Sequence, residues 1–169
     1  ELQALVPSAF RSRAGTWVGL SGRARVLTYA SDRVQVDGLP EDLHALTGPD
    51  WKGRVGWAPT NSSFQSFLTA MVEQKGAEVT GEWVRGMLAN EARAFPSNTP
   101  GVVALCAGEI DVMLTNHYYM NRVLEGQGDS CQLANHYFRD GSAASLVNVT
   151  GVGVLATTAR PTLAAEFVT

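Results

Sequence analysis

Strand-like and helix-like periodicities alternate along this chain, and that alternation restricts its fold more than any other feature. "GRVGWAP" (53–59) is a short apolar run bounded by Gly and Pro, the pattern of a buried strand. Directly after it, Phe64, Phe67, Leu68, Met71 and Val72 fall at i, i+3, i+4, i+7 and i+8, the core-facing stripe of an amphipathic helix. Ser62, with Gln65 three residues on, fits a capping box at its start. The same change of period recurs where "EIDVMLTN" (109–116) reads as a strand covered on both faces. "YYMNRVLEG" (118–126) then resumes helical spacing through Val123 and Leu124.

The remaining segments fit the same scheme. "GRARVLTY" centred on Val26 and Leu27, "ARAFPSN", "QLANHYF" and "SLVNVTGVGVLATT" read as strands, the last bent at its glycines. "PEDLHALTG" reads as a short helix closed by Gly48, and "TGEWVRGMLAN" as a longer one with Trp83 over Met87 and Val84 over Leu88. Strands alternating with helices predict an α/β fold with a mostly parallel sheet flanked by helices. With 169 residues, 45% of them hydrophobic, one domain over residues 1–169 is expected, large enough to bury roughly 70% of its unfolded surface.

A net charge of -3 and the absence of a Lys/Arg stripe interleaved with aromatics set nucleic-acid binding aside. No run approaches the roughly 18 apolar residues of a membrane span, and the start lacks the order of a signal peptide, so the chain as given is expected to be soluble. Its ends, "ELQALVPSAF" and "TLAAEFVT", read as cut edges, and a piece of a longer protein is expected. Cys106 and Cys131 have no CxxC spacing, which excludes a metal knuckle. In "TPGVVALCAG", Thr99 is placed as a cap, Pro100 at the first helical position and Gly108 at the end. Cys106 then shares the apolar face with Val102 and Leu105 and is read as a small buried hydrophobe in preference to a disulfide with Cys131.

In such sheets ligands bind beyond the carboxyl ends of the strands. Three strand-to-helix junctions carry polar residues there: Thr60 to Ser63, Asn98 with Thr99, and Asn116 to Tyr119. In a regular strand Tyr118 and Tyr119 would face opposite sides; at a junction the backbone leaves the pleat and both can turn toward one point. Free N–H groups at helix starts, with Ser and Asn, favour a small anion. Phenolates are hard donors whose parent phenol has a pKa near 10, so only a strongly Lewis-acidic cation such as Fe(III) would deprotonate two of them at neutral pH. Each feature has a plainer reading. A Tyr-Tyr pair is usually one ring in the core and its neighbour at the surface; "TNSS" serves as a helix cap; His117, His136 and His44 pack or face solvent; Glu109 and Asp111 form a solvated edge. A metal-dependent hydrolase or oxygenase using Tyr118, His117 and Asp111 lacks both a two-His-one-carboxylate spacing and a nucleophile, and no enzyme is expected.

"WKGRVGWAPTNSSFQSF" (51–67), "EIDVMLTNHYYMNR" (109–122), "LANHYF" (133–138) and "LVNVTGVGVL" (146–155) together resemble, in this order, the bacterial ferric-ion-binding proteins. These are periplasmic or lipid-anchored substrate-binding components of iron ABC transporters. The resemblance implies one lobe of a two-lobed, type II periplasmic-binding-protein fold. It implies Fe(III) ligation by Tyr118 and Tyr119, with His117 outside the ligand set. A synergistic anion, phosphate or carbonate, would sit on Asn61, Ser62, Ser63, Asn98 and Asn116. Partners implied are the ferric ion, the small anion and, for the full-length protein, a transporter permease. The family's His and Glu ligands from the other lobe have no match here, and strands resembling the interlobe crossings suggest self-association of an isolated lobe. The alternative within the class is a lobe for an organic anion or phosphonate without iron.

Overall fold

The computed structural model describes residues 2–128, 131–138 and 141–168. The chain divides into two compact units, Ala24–Leu146 and a smaller one made of Glu1–Arg23 with Val147–Thr169. The strands β1 (Val18–Ala30), β2 (Val55–Trp57), β3 (Arg93–Ala94), β4 (Val112–Asn116) and β5 (Leu133–His136) follow the order β3-β2-β4-β1-β5. β2 runs parallel to β3 and β4, whereas β1 runs antiparallel to β4 and β5. The fold is thus the expected α/β lobe, with a mixed sheet whose parallel part is β3, β2 and β4. Parallel neighbours need crossovers. Helices α2 (Ser62–Lys75) and α3 (Ala77–Ala89) supply one between β2 and β3, and α4 (Asn98–Cys106) supplies the next, between β3 and β4. Helix α5 (Tyr118–Gln127) follows β4.

Alternation along β4 decides which helices cover which face. Val112 and Leu114 join Leu27, Trp57, Phe64, Phe67, Met71, Trp83 and Met87 in one core under α2 and α3. Met113 points the other way, among Ala58, Val102, Leu105 and Val123 under α4 and α5. The predicted stripe on α2 narrows to Phe64, Phe67 and Met71; Leu68 is half-buried and Val72 lies at the exposed rim. Phe64 meets Trp57 edge-on at 5.7 Å, and Phe67 meets Trp83 in the same way at 5.7 Å. Each such ring contributes about 1.5–3 kcal/mol by burial. The Trp83 indole N–H donates to the Leu43 carbonyl at 2.8 Å, so its polar atom is satisfied as well. β2 approaches β4 closely enough that a Cβ on Gly56 would come within 2.8 Å of the Met113 sulfur.

Several local expectations are corrected. Asn61, not Ser62, caps α2: its backbone is extended and its Oδ1 accepts the Ser63 N–H at 3.0 Å, while Ser62 is already the first helical residue. α4 begins at Asn98, with Ser97 in the cap position and Thr99 inside the first turn, where Pro100 lacks only an N–H that has no helical partner. The segment around His44–Thr47 is a 3-10 turn, Gly48 following as expected. Cys106 and Cys131 are joined in a disulfide, with Cα atoms 5.1 Å apart. The packing reading of Cys106 failed because the return of the chain from α5 to β5 brings Cys131 to the end of α4, which sequence spacing does not reveal.

In the smaller unit, β6 (Val147–Val152) pairs with β1, accompanied by α1 (Leu2–Leu5) and α6 (Pro161–Val168). Among the described residues no helix is long and apolar enough to cross a membrane.

Candidate functional site

β2, β3 and β4 are parallel, so their carboxyl ends share one sheet edge, and α2, α4 and α5 each start from it. The three polar junctions read from the sequence therefore lie along one rim. Asn116, the last residue of β4, is 1% exposed. Tyr118 and Tyr119 open α5, both half-buried, with His117 in the cap position making no capping hydrogen bond. The two rings do not diverge. They stack with centroids 4.3 Å apart at 28°, and His117 meets Tyr118 edge-on at 5.8 Å.

β1, paired with β4, carries a residue that the sequence reading passed over. Arg25 on β1 is paired in register with Asn116 and is 1% exposed. Its NH1 donates to Asn116 Oδ1 at 3.3 Å and to Ser63 Oγ at 3.4 Å. Ser63 Oγ in turn donates to Asn61 Oδ1 at 2.7 Å. Nε and NH2 of Arg25 have no hydrogen-bond partner, and no carboxylate pairs with it among the described residues. The guanidinium lies over Phe64 at 4.9 Å and Phe67 at 5.1 Å, which offsets part of its desolvation. Burial lowers its pKa to about 9, so it remains a cation at neutral pH. Its signal was present in the sequence: Arg25, Leu27 and Tyr29 alternate onto one face, and Leu27 and Tyr29 are core.

Asn98, at the start of α4, is fully buried, and both polar atoms of its amide are unpartnered. Thr115 Oγ1 and Trp57 Nε1, near the ends of β4 and β2, are buried and unpartnered too. An unsatisfied buried polar atom costs about 1–3 kcal/mol, so each of these groups is a local cost to the fold. Of the residues expected to hold an anion, Asn61, Ser63 and Asn116 are drawn into one network with Arg25. Asn98 stands on the same edge, and Ser62 is exposed on the first turn of α2.

The other candidates separate. His117 Nδ1 accepts the Ala24 N–H at 3.1 Å, and His136 Nε2 lies 3.2 Å from the Pro40 carbonyl. Asp111 precedes β4, at the end opposite Tyr118, and is bound by Arg33 at 3.0 Å and Arg54 at 2.6 Å. Burial raises its pKa, but hydrogen bonds from Arg54 and Arg33, with their charges, outweigh this and hold it below the usual value. Glu109 pairs with Arg93. Asp111 and Glu109 are thus structural ion pairs. No cluster of three or more His, Cys, Asp or Glu suited to a metal occurs among the described residues.

A family model described as bacterial extracellular solute-binding protein matches residues 3–168. The chain belongs to the bacterial extracellular solute-binding proteins. It is 30% identical over 167 residues to the Fe(3+)-binding periplasmic protein of Serratia marcescens, covering 98% of this chain and 49% of that protein. It also superposes on iron-bound HitA from Pseudomonas aeruginosa with a TM-score of 0.86 at 32% identity, covering 98% of this chain and 53% of that one. For Trichodesmium IdiA (FutA), solved in complex with iron and citrate, the TM-score is 0.84 at 28% identity, covering 96% of this chain and 54% of that one. The chain spans about half the length of the curated relatives it matches. Relatives in this family thus include ferric-iron-binding proteins of the periplasm, and the resemblance drawn from the four sequence blocks stands.

Proposed function

We propose that this chain is the tyrosine-bearing lobe of a ferric-iron-binding, ABC-transporter substrate-binding protein. In this reading Tyr118 and Tyr119 ligate Fe(III), and Arg25, Asn61, Ser62, Ser63, Asn98 and Asn116 hold a synergistic oxyanion. The observation that carries it is the stacked, half-buried tyrosine pair on the same rim as a buried arginine that no carboxylate pairs with among the described residues. Charge balance supports the combination. The three positive charges of Fe(III), less two phenolates and plus Arg25, leave two, which a divalent oxyanion such as carbonate or hydrogen phosphate neutralises. A bound ferric ion supplies the Lewis acidity that lowers the phenol pKa from near 10 into the neutral range.

The Serratia relative is an Fe(3+)-binding protein and HitA was solved with iron bound, and the iron-and-citrate complex of the Trichodesmium relative adds a carboxylate anion to phosphate and carbonate. The remaining metal positions are left to ligands from a second lobe, to the anion and to water, so exchange should be fast on this lobe alone. The Cys106–Cys131 disulfide supports a periplasmic or other oxidising compartment, since such bonds do not persist in a reducing cytosol. The role in this reading is one of binding and delivery to a permease.

Crystals soaked in ferric nitrilotriacetate, with anomalous scattering recorded at the iron edge, test the site. The proposal expects an iron peak bridging the Tyr118 and Tyr119 oxygens with anion density against Arg25. Anion density with no iron peak would replace it by the organic-anion or phosphonate reading.

A further inference from the structure

We propose that Asn135, held by Thr28, is a positioning residue that sets the turn from which Tyr118 and Tyr119 leave β4. The chain must abandon the sheet within one residue, His117, and three contacts fix that residue. Its N–H donates to the Ala24 carbonyl at 3.0 Å, and its ring Nδ1 accepts the Ala24 N–H at 3.1 Å. These two bonds tie the near side of the turn to β1. On the far side the His117 carbonyl accepts from Asn135 Nδ2 at 2.8 Å.

Asn135 is itself locked. It faces Thr28 across the antiparallel β1–β5 pair, and Thr28 Oγ1 donates to Asn135 Oδ1 at 2.7 Å. Thr28 is fully buried and so has no water to share that bond with. Only one orientation of the amide satisfies both ends, because a flip would set Oδ1 against a carbonyl oxygen and the amide nitrogen, a donor, against the hydroxyl proton. The strut therefore runs from the interior of β1 through β5 to the peptide that immediately precedes the tyrosines. A change at Asn135 moves the rings without touching them.

The iron consequence rests on the proposed function; the geometric claim does not, and two readouts separate them. In metal-free protein, NMR through-space contacts between the Tyr118 and Tyr119 rings should be lost in Asn135→Asp, Asn135→Leu and Thr28→Val and kept in Thr28→Ser, which retains the hydroxyl. With ferric nitrilotriacetate, the first three variants should bind iron about 10- to 100-fold more weakly, with a shifted phenolate-to-iron band, and Thr28→Ser should match the parent. Folded Asn135→Asp or Thr28→Val protein that keeps both the ring contacts and the parent affinity would overturn the inference, and these two isosteric variants decide the matter if Asn135→Leu does not fold. If the parent itself shows no iron band, the iron reading falls, and the ring contacts of the metal-free variants still decide the role of Asn135.

Discussion

Arg25 holds a charge that no carboxylate among the described residues pairs with. Its surroundings, the rings of Phe64 and Phe67 and the polar atoms of Asn116 and Ser63, stabilise it only in part. Replacing even a buried ion pair by apolar groups of similar volume is often neutral or stabilising by about 1–4 kcal/mol, and removing Arg25 orphans no carboxylate among the described residues. Arg25→Met should therefore melt at the same or a higher temperature than the parent, while the rise in melting temperature produced by phosphate, carbonate or citrate disappears. A variant that unfolds readily and still responds to anion would make Arg25 structural. At this scale the sequence was informative about the tyrosines, because a junction frees neighbouring side chains from alternation. It was less so about the polar network beside them. Asn61, Ser63 and Asn116 were legible as junction residues, but Arg25 sits within a strand, and its role depends on β1 lying next to β4.

β4 links two different environments, with the rim residues at its carboxyl end and an ion-paired anchor at its start. There Asp111 joins Arg33, just after β1, to Arg54, just before β2, and Arg33 also donates to the Leu105 carbonyl at 2.7 Å. Because the folded-state pKa of Asp111 is held below its ordinary 3.8, its contribution is complete above that value and is lost as pH falls below it through the folded value. Urea unfolding from pH 7 to pH 2 should show an acid-side loss of stability that is smaller in Asp111→Asn; equal acid slopes in the two proteins would remove Asp111 from the account. Most elements were legible because their periodicities are local. Strand direction was not: β1 reads as a strand whichever way it runs, and its antiparallel placement comes from a long connection through the fold. The cap of α2 slipped by one residue because Asn61 and Ser62 are both good caps, and only the backbone dihedrals separate them.

Across the whole molecule, the Cys106–Cys131 bond encloses β4 and the tyrosine-bearing helix within a loop of sequence separation 25. Cross-linking a loop of this size destabilises the unfolded chain by about 3.5 kcal/mol. Paired Cys106→Ser and Cys131→Ser changes should lower the urea midpoint accordingly, with reductant shifting the parent and not the variant; a parent indifferent to reductant would contradict the bond. The family was legible from four blocks in order, and the disulfide was not, since pairing depends on where α5 returns the chain. The central claim, that two neighbouring phenolates on this lobe bind ferric iron, is tested most directly by absorption spectroscopy during titration with ferric nitrilotriacetate. A visible phenolate-to-iron charge-transfer band is expected in the parent, weakened in Tyr118→Phe and Tyr119→Phe and absent when both are changed. A colourless parent, or a band that survives the double change, would contradict it.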